Sequence, residues 1–130
     1  AGGTGTVTLN ANLAFSLKDN LVVNTASAMT INGIISSDLG IGITKIGTGA
    51  LTLGGTNTYS GATVLGATGS VASAGTTTVS GTTGTINTSS GYTINGSGSI
   101  LSLTNTAGNL DRLNDAATVT LNLGGALSLV

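Results

Sequence analysis

The sequence predicts an all-β protein folded as a parallel β-helix, a solenoid of about six short coils. Three observations predict this fold class: short runs alternate apolar and polar residues, clusters of Gly, Asn, Ser and Thr separate those runs, and similar segments recur at intervals of roughly 20 to 22 residues. Because 130 residues form at most one domain, we expect residues 1–130 to be a single solenoid domain or a segment of a longer region.

The alternating runs predict strands, because a period of two places apolar side chains on one face of an extended chain. These runs are rich in Thr, Val and Ile, which favour strands over helices. One stretch also has helical spacing, at residues 108–117, where Leu110, Leu113 and Ala117 allow a single helical turn. The clearest strand runs are residues 7–10, 13–17, 29–32, 51–53, 92–95, 119–123 and 127–129.

Internal repetition favours a solenoid over a sandwich or barrel. The five residues 6–10 recur letter for letter at 118–122, and Asn10, Asn32 and Gly54 follow one another at intervals of 22 residues. A unit of this length with three short strands is what one coil requires. The absence of Pro agrees, since inner strands donate N–H groups to the ladder. The recurring Asn residues either perform ordinary turn chemistry or stack as amide ladders at a corner.

Composition excludes several classes of protein. Hydrophobic residues make up 39% and the net charge is −1, whereas disordered chains combine low hydrophobicity with high charge. With only Lys18, Lys45 and Arg112 as cations, we expect no nucleic-acid partner. No apolar run is long enough for a membrane helix. Charged residues are only 5%, which is unusual for a cytosolic surface, and we expect a segment of an extracellular or cell-surface protein.

Residues 45–63 carry a specific motif. They match the pattern K-x-G-x-G-x-L-x-L-x-G-x-N-T-Y-x-G-x-T at every fixed position. The segment resembles the autotransporter-associated β-strand repeat, although residues 64–71 depart from the usual continuation of that family. The resemblance implies a right-handed β-helix in a long passenger region outside a bacterial cell, and it implies no activity. The matching residues are Lys45, Gly47, Gly49, Leu51, Leu53, Gly55, Asn57, Thr58, Tyr59, Gly61 and Thr63.

The motif also has a physical interpretation. We expect Leu51 and Leu53 to point into the core from one strand. Gly47 and Gly49 permit a bend before that strand, while Asn57 and Gly61 turn the corners. Tyr59 is expected to pack in the core with its hydroxyl reaching the rim. Lys45 is expected to open a strand ahead of the glycines, an arrangement that does not resemble a phosphate-binding loop.

Groups for catalysis are scarce, since the chain has no His or Glu and only Asp19, Asp38, Asp111 and Asp115. Residues 109–115 could supply two carboxylates for a glycosidase-like pair or oxygen ligands for calcium. The simpler interpretation is a solvated excursion in which Arg112 pairs with Asp111 or Asp115. We therefore expect no catalytic residue, no metal site and no cofactor.

Thr-x-Thr pairs suggest an ice-binding face, which requires one copy per coil in register. The pairs begin at Thr4, Thr56, Thr76, Thr104 and Thr118, at intervals of 52, 20, 28 and 14 residues. This spacing is too irregular for such an array. It favours the general preference of Thr for strands instead.

The sequence thus predicts an extracellular structural scaffold without catalysis, as an adhesin stalk or the subunit of a self-assembling fibre. Its expected partner is itself, by head-to-tail or edge-strand association, or the neighbouring coils of a longer chain. Surface glycans are a further candidate, and we expect no membrane insertion of this segment. The alternatives are polysaccharide processing by Asp111 and Asp115, and carbohydrate or ice binding.

Overall fold

The computed structural model describes residues 5–15, 19–37, 39–104, 109 and 111–130. Within these ranges the chain forms thirteen β-strands and no helix, so none is present there that could cross a membrane. The strands are β1 (Val7–Leu9), β2 (Leu13–Phe15), β3 (Leu21–Asn24), β4 (Met29–Ile31), β5 (Ile35–Ser37), β6 (Ile43–Ile46), β7 (Leu51–Leu53), β8 (Thr63–Leu65), β9 (Thr76–Val79), β10 (Gly91–Asn95), β11 (Ile100–Leu103), β12 (Thr118–Asn122) and β13 (Ala126–Leu129).

The strands form two long parallel sheets and one short one. The six-stranded sheet has the order β1-β4-β7-β9-β11-β13, and the five-stranded sheet has the order β3-β6-β8-β10-β12. Strands β2 and β5 form the short parallel pair. Each turn of the chain adds one strand to each long sheet, which confirms the predicted parallel β-helix. The chain makes five turns and begins a sixth with β13, one fewer than the predicted six.

Coil length changes along the rod, which explains the difference. In the six-stranded sheet the successive register partners are 22, 22, 26, 24 and 26 residues apart, namely Val7, Met29, Leu51, Thr77, Leu101 and Leu127. The predicted period therefore holds for the first two steps only. The first added residues lie in the corner between β8 and β9, which spans residues 66–75, whereas the preceding corner spans residues 47–50.

The core is a continuous apolar column inside the solenoid. Side chains alternate between inside and outside along each strand, and the inward ones stack on their register partners in the coils above and below. Full burial of a Leu or Ile side chain contributes about 1.5 to 3 kcal/mol. The buried core residues are Val23, Ile31, Ile35, Ile43, Leu51, Leu53, Tyr59, Leu65, Ala74, Val79, Ile86, Tyr92, Ile94 and Leu101.

Asn side chains fill both predicted roles. Asn32 Nδ2 donates to Asn10 Oδ1 at 2.9 Å, and Asn122 Nδ2 donates to Asn95 Oδ1 at 3.0 Å, so short amide ladders form between coils. Asn114 performs turn chemistry, because its Oδ1 accepts the N–H of Ala116 two residues later. Other Asn side chains do neither, because their Oδ1 atoms accept backbone N–H groups of a neighbouring coil. These pairs are Asn12 with Ile34, Asn20 with Gly42 and Asn57 with Ile35.

The predicted helical turn at residues 108–117 falls partly outside the described residues, since Gly108 and Leu110 are not among them. Residues 111–117 contain a turn at Asp115 and Ala116 and no helix. Lys18 and Asp38 also lie outside the described part of the chain.

Candidate functional site

Lys45 of the repeat motif lies inside the solenoid. It is the third residue of β6, so the expectation that it opens a strand is wrong. Its side chain is fully buried. The Nζ atom donates to the carbonyl oxygens of Ile46, Gly47 and Ala74 at 2.9, 2.7 and 2.8 Å. Burial lowers the pKa of Lys45. Because Ala74 precedes β9, the ammonium group joins two corners of successive coils and is not exposed to a ligand.

The glycines of the motif lie where coils approach closely. Gly47 has a φ of 80°, which side-chain-bearing residues rarely adopt. A Cβ atom on Gly49 would lie 2.2 Å from the carbonyl oxygen of Ser27 in the coil below. Leu51 and Leu53 follow this bend and point into the core, as predicted.

Asn57 connects three coils. Its Oδ1 accepts the N–H of Ile35 at 2.9 Å, and its Nδ2 donates to the carbonyl oxygens of Gly55 and Thr85 at 3.0 and 2.9 Å. Thr58 is exposed and uses its backbone N–H to bond the carbonyl oxygen of Ile35. The corner around Asn57 is therefore stabilised by a side chain whose polar atoms are fully used within the protein.

Tyr59 is buried, as predicted, but its hydroxyl does not reach the rim. The hydroxyl lies 2.7 Å from Thr63 Oγ1, which is 3.0 Å from Ser89 Oγ. Ser89 donates in turn to the carbonyl oxygen of Gly61 at 2.9 Å. The coil above supplies Ser89 and closes this chain of hydroxyl groups inside the solenoid. Burial raises the pKa of Tyr59, and its ring has no free face for stacking a ligand.

Arg112 lies in the loop before β12 and turns inward. It is 4% exposed, and its two terminal nitrogens donate to the carbonyl oxygens of Gly84 and Gly81 in the coil below. The expected pairing of Arg112 with Asp111 or Asp115 is therefore wrong. The guanidinium instead donates to carbonyl groups of a turn in the coil below, where Gly84 also accepts from Asn109 Nδ2 at 3.2 Å, and burial lowers the pKa of Arg112. Its buried Nε has no hydrogen-bond partner within the described residues.

Asp111 and Asp115 share one cavity of about 470 Å³. Asn109, Thr104 and Arg112 line its polar side, and the apolar side consists of Leu103, Leu113, Leu129 and Val130. Asp111 Oδ2 accepts a hydrogen bond of 3.0 Å from Asn87 Nδ2. Among the described residues no group of three or more His, Cys, Asp or Glu is placed to hold a metal ion. The two carboxylates thus lie in the lining of one cavity near the C-terminal end of the rod, and both residues are exposed.

A line of hydroxyl side chains runs along the outer face of the six-stranded sheet. It consists of one outward Thr or Ser from each strand, paired in register, and we call it the hydroxyl file. Its members are Thr8, Thr30, Thr52, Thr78, Ser102 and Ser128. The Thr-x-Thr spacing did not reveal it. A three-residue pattern in each strand of this sheet marks the file. The central residue is Thr or Ser and belongs to the file, the residue before it is apolar or Thr, and the residue after it is apolar.

Comparisons with known protein families, curated proteins and solved structures find no match to this chain.

Proposed function

We propose that this chain is an extracellular structural scaffold, part of a stalk or fibre, that catalyses no reaction and grows by the addition of further coils. The proposal rests on the state of its C-terminal edge. There the apolar side chains that should form the interior of the solenoid lie uncovered.

Strand β12 carries this observation. Val119 is 37% exposed and Leu121 is 50% exposed, while their register partners in β10, Tyr92 and Ile94, are at most 1% exposed. The difference arises because β10 has a coil on each side and β12 has a coil on one side only. An edge strand with apolar inward side chains and unpaired backbone groups favours pairing with another strand. The covering coil comes from the same chain or from a second copy of it.

Two further features support an extracellular place for such a rod. Its surface depends on Thr, Ser and Asn for solubility, with 5% charged residues in the chain. Residues 45–63 resemble a repeat of autotransporter passengers, and in this chain Lys45, Asn57 and Thr63 of that segment make hydrogen bonds between coils. Both features are expected of a rod that lengthens by adding coils that make the same contacts.

Self-association tests the proposal. We expect the 130-residue chain to form species larger than a monomer in size-exclusion chromatography with light scattering, at a proportion that rises with concentration. Val119→Lys with Leu121→Lys should shift the chain to a monomer, because the charges would be buried without partners. Thr120→Lys, on the outward face of the same strand, is the matched control and should associate like the wild type. A wild-type monomer at all concentrations would contradict the self-assembling form of the proposal.

A second candidate function is the processing of polysaccharides. The observation that favours it is the shared cavity of Asp111 and Asp115. Hydrolysis of a neutral or anionic glycan that is lost in Asp111→Asn, with the fold unchanged by circular dichroism, would establish this candidate. An activity that persists in that variant would eliminate Asp111 as its source.

A further inference from the structure

The hydroxyl file is straight and regular because its six strands pair in parallel register without a slip. Successive strands lie about 4.8 Å apart, so the file extends over roughly 24 Å. Four of its six members are Thr, whose branched side chain has restricted rotamers. The paired register lets these Thr side chains take the same orientation, with hydroxyl and methyl groups repeating from coil to coil.

The hydroxyl groups of the file are free to bind a ligand. None of the six makes a hydrogen bond to another described residue of the protein, whereas the inward hydroxyls of Thr63 and Ser89 are bonded. Five of the six side chains are half-buried and Thr8 is exposed, so their hydroxyls face solvent. The file thus offers a row of donors and acceptors that the fold itself does not use.

The surroundings of the file are uncharged. The six strands of this sheet contain no Lys, Arg, Asp or Glu. The side chains that flank the file on one side are uncharged, among them Ala28, Ala50, Thr76, Ile100 and Ala126. A surface with few projecting or strongly hydrated groups can meet another flat surface without desolvating charges, which would be costly.

We infer that this face binds ice. Oxygen atoms in planes of hexagonal ice repeat at a distance close to the spacing of β-strands, so the hydroxyls can take positions in the water lattice while the Thr methyl groups rest between them. Because the sheet is rigid, the row is preorganised and loses little conformational freedom on binding. Ice binding would be a role of this face in addition to the scaffold role.

The outer face of the five-stranded sheet is the natural comparison. Its central outward positions are Val22, Thr44, Val64, Thr93 and Thr120, which alternate between apolar and hydroxyl groups before ending in two Thr. This face lacks a continuous row. Thr44 and Thr93 are half-buried, as are Thr52 and Thr78 in the file. Substitutions at the two pairs therefore disturb the fold to a similar extent and differ in the surface that they interrupt.

The test measures thermal hysteresis and crystal shape in a nanolitre osmometer. The wild-type chain should lower the temperature of ice growth below that of melting and produce faceted crystals. Thr52→Lys with Thr78→Lys should lose most of this effect, and Thr44→Lys with Thr93→Lys should keep it. Circular dichroism on both variants verifies that each remains folded.

Two results would overturn the inference. The first is that ice grows in the presence of the wild type as it does in buffer. If the wild type then sediments with crystalline cellulose or chitin through the hydroxyl file, the face is assigned to a polysaccharide surface. The second is that both double variants lose the effect equally.

Discussion

Thr77 occupies an inward position of the six-stranded sheet that its register partners fill with Leu51 and Leu101. The side chain is 1% exposed, and its Oγ1 is buried without a hydrogen-bond partner among the described residues. An unpaired buried polar group costs about 1 to 3 kcal/mol, and replacement of the hydroxyl by a methyl group adds apolar burial. We therefore expect Thr77→Val to increase the free energy of unfolding by about 2 kcal/mol.

For a chain of this size, the increase corresponds to a Tm higher by about 6 °C. Thermal denaturation followed by circular dichroism measures it. Thr78→Val, the next residue on the same strand, is the control. Its hydroxyl faces solvent, so the change should stay within about 0.5 kcal/mol. A Thr77→Val variant that is no more stable than the wild type, or no more stable than Thr78→Val, would refute the reasoning.

Three other predictions concern contacts between coils. Asn57→Ala should destabilise the fold by about 3 kcal/mol in urea denaturation, because three buried hydrogen bonds are lost, while Asn20→Ala, which loses one, should cost about 1 kcal/mol. Equal losses would contradict this. Burial raises the pKa of Tyr59 above its ordinary value of 10.0, so the folded form holds the proton more tightly than the unfolded chain. Stability should fall as the pH rises above 10, less so in Tyr59→Phe, and an unchanged slope in that variant would exclude Tyr59 as the cause. Gly49→Ala should lower the Tm strongly, because its Cβ would lie 2.2 Å from a backbone oxygen, whereas Gly5→Ala, with open space around it, should be neutral. Similar Tm values for the two glycine variants would contradict this prediction, because the backbone would then have shifted to make room for a Cβ atom at Gly49.

The strands that the sequence predicted have a clear alternation, although β11, which reads Ile-Leu-Ser-Leu, shares it and was not among the predicted runs. Strands β4 and β7 read Met-Thr-Ile and Leu-Thr-Leu, so their inward faces are apolar. Some strands do not alternate between apolar and polar residues, and the sequence did not predict them. Two of these are β9, which reads Thr-Thr-Thr-Val, and β6, which reads Ile-Thr-Lys-Ile. In each a polar residue, Thr77 or Lys45, occupies an inward position. The neighbouring coils supply the packing that keeps these segments extended.

The candidate sites were less predictable than the strands. Asp111 and Arg112 are adjacent in sequence and were expected to lie together in solvent. Arg112 instead reaches carbonyl groups of the coil below, 28 and 31 residues earlier in the chain. Carbonyl groups of a turn accept hydrogen bonds from whichever donor side chain the fold brings close. The residues next to an arginine in the sequence do not indicate which turn of the preceding coil it will contact.

By itself the sequence determined the parallel β-helix, the inward positions of Leu51 and Leu53, and the scarcity of groups able to catalyse a reaction. These properties are local, since they depend on alternation, composition and the identity of corner residues. Only the tertiary structure decided the number of turns, the burial of Lys45 and Arg112, and the alignment of the hydroxyl file. Alignment depends on the length of every intervening corner. Coils of 22, 24 and 26 residues bring their central Thr or Ser into one line because hydrogen-bond register, and not distance along the chain, sets which side chains become neighbours.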